Sequence, residues 1–172
     1  MDFDAKRTAL VLIDLMPRII DMPTGPRSGR EVLATCLRLA GALRDAGSLV
    51  VFVRVERPNV EEQPPGSELA PECDPRPDDV VIVKRTIGAF HCTGLDKVLR
   101  ERGIATLVLG GLVTNFGVEG TGRSAIEYGY DVIYVEDAMA GFDAAAHEFA
   151  VTKILPKLGE VTTSAELLRS EG

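Results

Sequence analysis

The feature that most limits how this chain can fold is the alternation of short apolar runs with stretches of helical periodicity. Apolar runs occur at Thr8 to Ile13, Leu49 to Val55, Val80 to Val83, Thr106 to Leu109 and Asp131 to Val135, with a shorter one near Glu160 to Thr163. Between them lie amphipathic stretches at about Arg30 to Ala46, Thr93 to Arg102, Val118 to Tyr128 and Ala144 to Leu155. Gly47, Gly103 and Gly129 stand just past the last periodic residue of the first three, where helices commonly stop. Strands alternating with helices in this way are the pattern of βαβ units and of an α/β fold.

One stretch breaks the rhythm. From Arg57 to Asp79 the chain carries Pro58, Pro64, Pro65, Pro71, Pro75 and Pro77, too many for a helix or a central strand. It contains neither a repeat nor a run of like charge, so it reads as a long ordered loop, of the kind that serves as a lid or an interface arm.

The chemistry is expected at the ends of the strands. The run Thr106 to Leu109 ends in Gly110-Gly111, and helical periodicity resumes at Val118, so Leu112-Val113-Thr114-Asn115-Phe116-Gly117 reads as a tight turn leading into a helix N-terminus. Backbone N–H groups and the positive end of a helix dipole converge at such a turn, where they stabilise negative charge developing on a substrate oxygen. Asp14 ends the first apolar run and Lys84 ends the third. In a parallel sheet, residues at the carboxyl ends of different strands meet in one crevice. Asp14, Lys84 and the turn at Gly117 are therefore expected to share a pocket.

Four segments carry a resemblance. They are Ala9-Leu10-Val11-Leu12-Ile13-Asp14-Leu15, Val83-Lys84-Arg85-Thr86-Ile87-Gly88-Ala89-Phe90, Leu109 to Arg123, and Val135-Glu136-Asp137-Ala138. In this order they resemble the isochorismatase-like hydrolase superfamily, the cysteine hydrolase fold that includes nicotinamidases, N-carbamoylsarcosine amidases and isochorismatases. The resemblance spans almost the whole chain and implies one domain over residues 1–172. It implies a Rossmann-like, three-layer αβα architecture with a six-stranded parallel sheet of order 3-2-1-4-5-6. It makes Asp14, Lys84 and Gly117 the catalytic positions, with a glycine where most members carry the cysteine nucleophile. It assigns the backbone of Val113, Thr114 and Gly117 to an oxyanion site, with a cis peptide expected between Val113 and Thr114. Phe90, Asn115 and Phe116 are expected to line the substrate pocket. Taken alone, Thr114 would serve as a helix cap, and Gly117 would answer a backbone need for positive φ. The family's acceptance of cysteine at that position argues against such a need.

Composition points to a small-molecule ligand. The 172-residue chain has a formal charge of -7 and a pI near 4.9. That disfavours nucleic acid and anionic membranes, both of which select for basic patches. The acidic start Met1-Asp2-Phe3-Asp4 is unlike a signal peptide, and no apolar run approaches the roughly 18 residues of a membrane span, so a cytoplasmic location is expected. The three cysteines, Cys36, Cys73 and Cys92, include no C-x-x-C pair, which fits neither a disulfide framework nor a zinc knuckle. Cys36 reads as a small core residue, Cys73 as incidental in the Pro-rich loop, and Cys92 as the thiol to watch beside Phe90-His91. No metal is expected. Nicotinamidases use an Asp-x-His pair after the second strand, where this chain has Val53-Arg54-Val55-Glu56, and its two histidines, His91 and His147, are far apart. His147 is expected on a helix flank. No cofactor is implied.

With cysteine at position 117, the thiolate would attack a carbonyl and form an acyl-enzyme. Glycine closes that route. Isochorismatase chemistry needs no protein nucleophile, because an acid protonates a vinyl ether carbon and water adds to the oxocarbenium carbon. Asp14 is that acid if burial raises its pKa more than Lys84 lowers it. The flanking Thr114-Asn115-Phe116 differs from the Ala-His-(Ile or Val) of true isochorismatases, which leaves the substrate open. The expectation is thus a thiol-independent, metal-independent hydrolase with Asp14 as acid/base and Lys84 as electrostatic support. The alternative is an inactive relative that binds a small molecule or serves as an assembly subunit. A homo-oligomer, a dimer or tetramer, is expected from the resemblance. The segment Ala138-Met139-Ala140-Gly141-Phe142 is expected to expose apolar groups that subunits would cover.

Overall fold

The structure, a computed structural model, describes residues 4–169. The start of the chain read above against a signal peptide lies partly outside the described residues, at residues 1–3. Six strands, β1 (Thr8–Ile13), β2 (Leu49–Val55), β3 (Val80–Lys84), β4 (Thr106–Leu112), β5 (Asp131–Ala140) and β6 (Glu160–Thr162), pair in parallel in the order β3-β2-β1-β4-β5-β6. The helices are α1 (Pro17–Ile20), α2 (Gly29–Asp45), α3 (Leu95–Glu101), α4 (Glu119–Glu127), α5 (Ala144–Phe149) and α6 (Ser164–Arg169).

The alternation of side chains along each strand sorts the core into two layers. Leu10 and Leu12 of β1, Phe52 of β2 and Val108 of β4 pack with Val32, Leu39 and Leu43 of α2 and Leu167 of α6 on one face. Ala9, Val11 and Ile13 of β1 and Leu107 and Leu109 of β4 pack with Leu95 and Leu99 of α3, Ala125 of α4 and Leu155 on the other. Burying each such aliphatic side chain is worth about 1.5 to 3 kcal/mol, and the central strands β1 and β4 are buried along almost their whole length. A cleft lies at their carboxyl ends.

Local chemistry explains where the elements begin and end. Ser28 and Glu31 form a reciprocal capping box, so α2 starts at Gly29, one residue before the periodic pattern. Gly47, Gly103 and Gly129 have φ of 95°, 67° and 84°, the left-handed conformation that ends α2, α3 and α4. Helix α1 breaks no apolar rhythm and escapes periodicity analysis, although Pro17 at its first turn is a start signal.

Strands β4 and β5 run further than their apolar runs. In β4, Gly110 lies so close to its neighbours that a Cβ there would meet Ala138 Cβ at 3.2 Å. In β5, the polar pair Glu136-Asp137 interrupts the hydrophobic run but not the strand, which resumes after a register shift opposite Leu109 and Gly111. Asp137 accepts from Ser164 N and Ser164 Oγ, both at 2.6 Å, which fixes the start of α6. Because β5 continues, Ala138, Met139 and Ala140 are fully buried; only Phe142 of the segment expected to be exposed is so. The Pro-rich loop folds back on the sheet, with Ala70 N donating to Leu15 O at 2.8 Å and Ser67, Ala70 and Cys73 buried. None of the described helices is long and apolar enough to cross a membrane.

Candidate functional site

At the carboxyl end of β1 the chain turns sharply. Asp14 takes a φ of 52°, a left-handed conformation that costs a non-glycine residue about 1 to 2 kcal/mol. Two backbone bonds hold it there: Asp14 N to Val53 O, and Met16 N to Asp14 O, each 2.8 Å. The turn points the carboxylate across the end of β2, which lies between β1 and β3. Lys84, the last residue of β3, reaches back from the other side, and its Nζ lies 2.9 Å from Asp14 Oδ2. Lys84 Nζ also donates to Ile87 O at 2.7 Å. Asp14 is 5% exposed and Lys84 3%. Asp14 Oδ1 is buried with no hydrogen-bond partner among the described residues. Burial pushes the Asp14 carboxyl up to about 6, outweighing the opposing pull of Lys84 and Arg18.

The third element follows β4. A cis peptide joins Leu112 to Val113, one residue earlier than the resemblance implied. Thr114–Val118 then forms one turn of π-helix that runs directly into α4. Val113 O accepts from Phe116 N at 3.2 Å and Val118 N at 3.3 Å, closing the turn. Gly117 does not have a positive φ, so glycine there answers no backbone need. A Cβ built at Gly117 would lie 3.3 Å from Lys84 Nζ and 3.4 Å from Asp14 Oδ2. It would also lie 2.8 Å from Ile13 Cγ2. Position 117 thus aims at the Asp14–Lys84 pair, and the methyl group of Ile13 occupies part of the space that a larger side chain would need.

Two clamps hold this turn. Thr121 Oγ1 donates to Gly117 O at 2.7 Å and accepts from Ala89 N at 3.1 Å, tying α4 to the segment that follows Lys84. Thr114 caps nothing; its hydroxyl lies 2.7 Å from Nδ1 of His147. His147 is buried rather than flanking, and burial first, then the nearby Arg27 cation, holds its pKa below the ordinary histidine value. Arg27 in turn donates to the carbonyls of Glu136 and Met139 and pairs with the Glu136 carboxylate, so α5, β5 and the turn form one polar network.

The pair and the turn form the floor of a cleft of about 420 Å³. Asp14, Lys84, Val113, Phe116 and Gly117 all line it, as do Arg18, Arg57, Ile87 and Phe142. Phe116 stands on its wall with its ring 6.1 Å from that of Phe142. Two residues expected in the pocket are elsewhere. Phe90 is buried and stacks on Tyr128 at 5.0 Å, because the segment after Lys84 turns inward against α4. Asn115 faces the other way in the π-turn, its Oδ1 near Gly141 and without a hydrogen-bond partner. Cys92 is exposed, with Sγ 3.3 Å from His91 Nε2, and does not line the cleft. Cys36 and Cys73 are buried, and burial raises both thiol pKa values, that of Cys73 to about 11. Among the described residues, no three His, Cys, Asp or Glu side chains gather as a metal site would require.

Sequence reasoning missed Arg18, Thr121 and His147. Pro17 marks the turn that carries Arg18. The other two side chains gave no local signal, since their partners lie 32 and 33 residues away in the chain.

Comparison with known proteins places these observations in context. Residues 8–166 match the family model described as Isochorismatase domain. The chain is 34% identical to the uncharacterized isochorismatase family protein YecD of Escherichia coli O157:H7, with 99% of each chain covered. It is 30% identical to ureidoacrylate amidohydrolase RutB of Variovorax paradoxus, over 96% of this chain and 82% of the relative. Among solved structures, an isochorismatase family protein from Burkholderia thailandensis matches with a TM-score of 0.89 at 39% identity, covering 96% of each chain.

Proposed function

The chain belongs to the isochorismatase family, and from that premise we propose that it hydrolyses a small molecule without a nucleophile supplied by position 117. The observation that carries this reading is the sealed pair at the floor of the cleft. Asp14 Oδ2 is engaged by Lys84 and lies next to position 117, while Asp14 Oδ1 is buried and has no hydrogen-bond partner among the described residues. A carboxyl pushed up to about 6 is protonated in about one molecule in ten at pH 7, far more than an ordinary carboxyl, and suits general acid catalysis.

In this mechanism the Asp14 carboxyl protonates a vinyl ether carbon of the substrate, water adds to the oxocarbenium carbon that forms, and the added water returns a proton to the Asp14 carboxylate. The resulting hemiketal then breaks its C–O bond, its hydroxyl proton passing to the leaving oxygen, so that an alcohol and a carbonyl compound are released. Lys84 stabilises the carboxylate while it is deprotonated, and its bond to Ile87 O keeps the ammonium in place. A relative named as an amidohydrolase supports hydrolysis as the reaction class. In this chain the route through an acyl-enzyme is closed by Gly117. An inactive binder would be favoured by an aromatic ring filling the cleft. Phe90 is packed away from it, and Phe116 leaves about 420 Å³ open.

The test is a mass-spectrometric metabolite screen with the wild type beside Asp14→Asn. Turnover by the wild type and none by Asp14→Asn is expected. On the substrate found, kcat/KM should fall as pH rises through about 6, because the protonated carboxyl is the active form, and iodoacetamide should leave the rate unchanged. A rate that rises through this range assigns Asp14 the base role instead, and loss of activity on alkylation of Cys92 overturns the thiol-independent mechanism.

A further inference from the structure

The charges around the cleft do not cancel. Its two carboxylates are both engaged: Asp14 by Lys84 at 2.9 Å, and Glu56 by Arg54 at 3.0 Å and Arg85 at 2.6 Å. Two arginines that line the same cleft, Arg18 and Arg57, have no carboxylate partner among the described residues. Arg57 lies at the exposed rim, but Arg18 is half-buried on the wall. Its Nη2 donates to Val55 O at 3.2 Å, and its Nε meets no acceptor. A chain of formal charge -7 thus keeps an unneutralised guanidinium beside its sealed acid pair. Ile87, Val113, Phe116 and Phe142 give the cleft an apolar side.

We propose that the cleft takes a small apolar molecule bearing one carboxylate, and that Arg18 is the residue that holds that carboxylate while the apolar body lies against Phe116 and Phe142. The inference deepens the reading of the cleft as a substrate site and rests on it. Arginine suits the role because its planar fork matches a carboxylate and carries its charge at every working pH. Arg18 is half-buried on the wall whereas Arg57 stands at the exposed rim, so a carboxylate drawn into the cleft meets Arg18. The placement also ties binding to chemistry. Arg18 is one of the two cations that oppose protonation of Asp14. A carboxylate on Arg18 cancels that influence, so the bound substrate favours the protonated acid. By reciprocity, protonating Asp14 tightens the anion. The charged groups facing Asp14 are Lys84 and Arg18, with Glu56, Arg57 and Arg85 at the rim and His147 beyond Thr114.

The experiment compares benzoate with benzamide, a pair alike in size and unlike in charge, by isothermal titration calorimetry. Wild type should bind benzoate at least about tenfold more tightly, which is about 1.4 kcal/mol. Arg18→Gln should abolish this preference, and Arg18→Lys should retain part of it. Asp14→Asn should keep it and lose the tightening of benzoate between about pH 7 and pH 5. Equal affinity for the two probes, no benzoate binding up to its solubility, or benzoate binding unchanged in Arg18→Gln overturns the proposal. Should Arg18→Gln fail to fold, the isosteric pair on wild type decides. A charge preference without any turnover in the metabolite screen would sink the hydrolase reading and leave the carboxylate subsite standing; turnover without the preference would do the reverse.

Discussion

Lys84 Nζ and Asp14 Oδ2 lie 2.9 Å apart, with both side chains almost completely withdrawn from solvent. A buried pair of this kind couples stability to pH. The Asp14 carboxyl has its pKa raised from 3.8 to about 6, with burial the largest cause. Between these values the folded state binds more protons than the unfolded one, so Asp14 makes stability fall as pH rises from about 4 to 6. The fall attributable to this group is about 3 kcal/mol. Urea unfolding of wild type and Asp14→Asn across that range should show the wild type losing stability relative to the variant, with the difference level above pH 7. A constant difference would mean that the carboxyl titrates normally.

A thiol placed at 117 would report on the turn. The Cβ vector of Gly117 points at Lys84 Nζ from 3.3 Å, and a cation at that distance lowers a thiol pKa. Gly117→Cys is expected to be alkylated by iodoacetamide faster than Cys92, as mapped by peptide mass spectrometry. Ile13 Cγ2, 2.8 Å from the new Cβ, must shift to admit it. Gly117→Cys combined with Ile13→Ala should therefore be more stable than the sum of the two single changes predicts. Slow alkylation in both variants would refute the electrostatic reading of the turn.

The hydrogen bond between Thr114 and His147 should be worth more than a surface bond. Thr114→Val leaves Nδ1 of His147 buried without its 2.7 Å partner, a loss of about 1 to 3 kcal/mol. Thr114→Ser, which keeps the hydroxyl, should lose less. Chemical denaturation of the three proteins checks this, and equal stability of the Val and Ser variants would count against it.

Exposed apolar side chains bear on assembly. Phe116, Phe142 and Phe149 are each about half exposed, as is Ile87, and such side chains gather where subunits meet. Light scattering at micromolar concentration should give a mass at least twice 18.5 kDa. Phe142→Asp should lower it. A monomeric wild type would contradict the expectation.

The strands and most helix ends were legible in the chain because their causes are local, whereas the layers and strand order followed from the family resemblance. Apolar period, a glycine past the last helical turn and a proline that forbids pairing act within a few residues of where they are read. The sequence also marked Asp14, Lys84 and Gly117, through their position at the ends of apolar runs and their match to family motifs. It could not say that Phe90 would turn into the core or that Asn115 would face Gly141, since the direction of a side chain in an irregular segment depends on what packs against it. It misjudged Ala138 to Ala140 because the polar pair Glu136-Asp137 looked like the end of a strand, whereas Arg27 and Ser164, distant in the chain, satisfy that pair and let the strand continue. Tertiary structure alone decided the balance at Asp14. Whether its carboxyl rises or falls depends on how much water β2, Lys84 and the turn at Gly117 exclude, and burial is a property of the assembled crevice, to which no stretch of sequence corresponds.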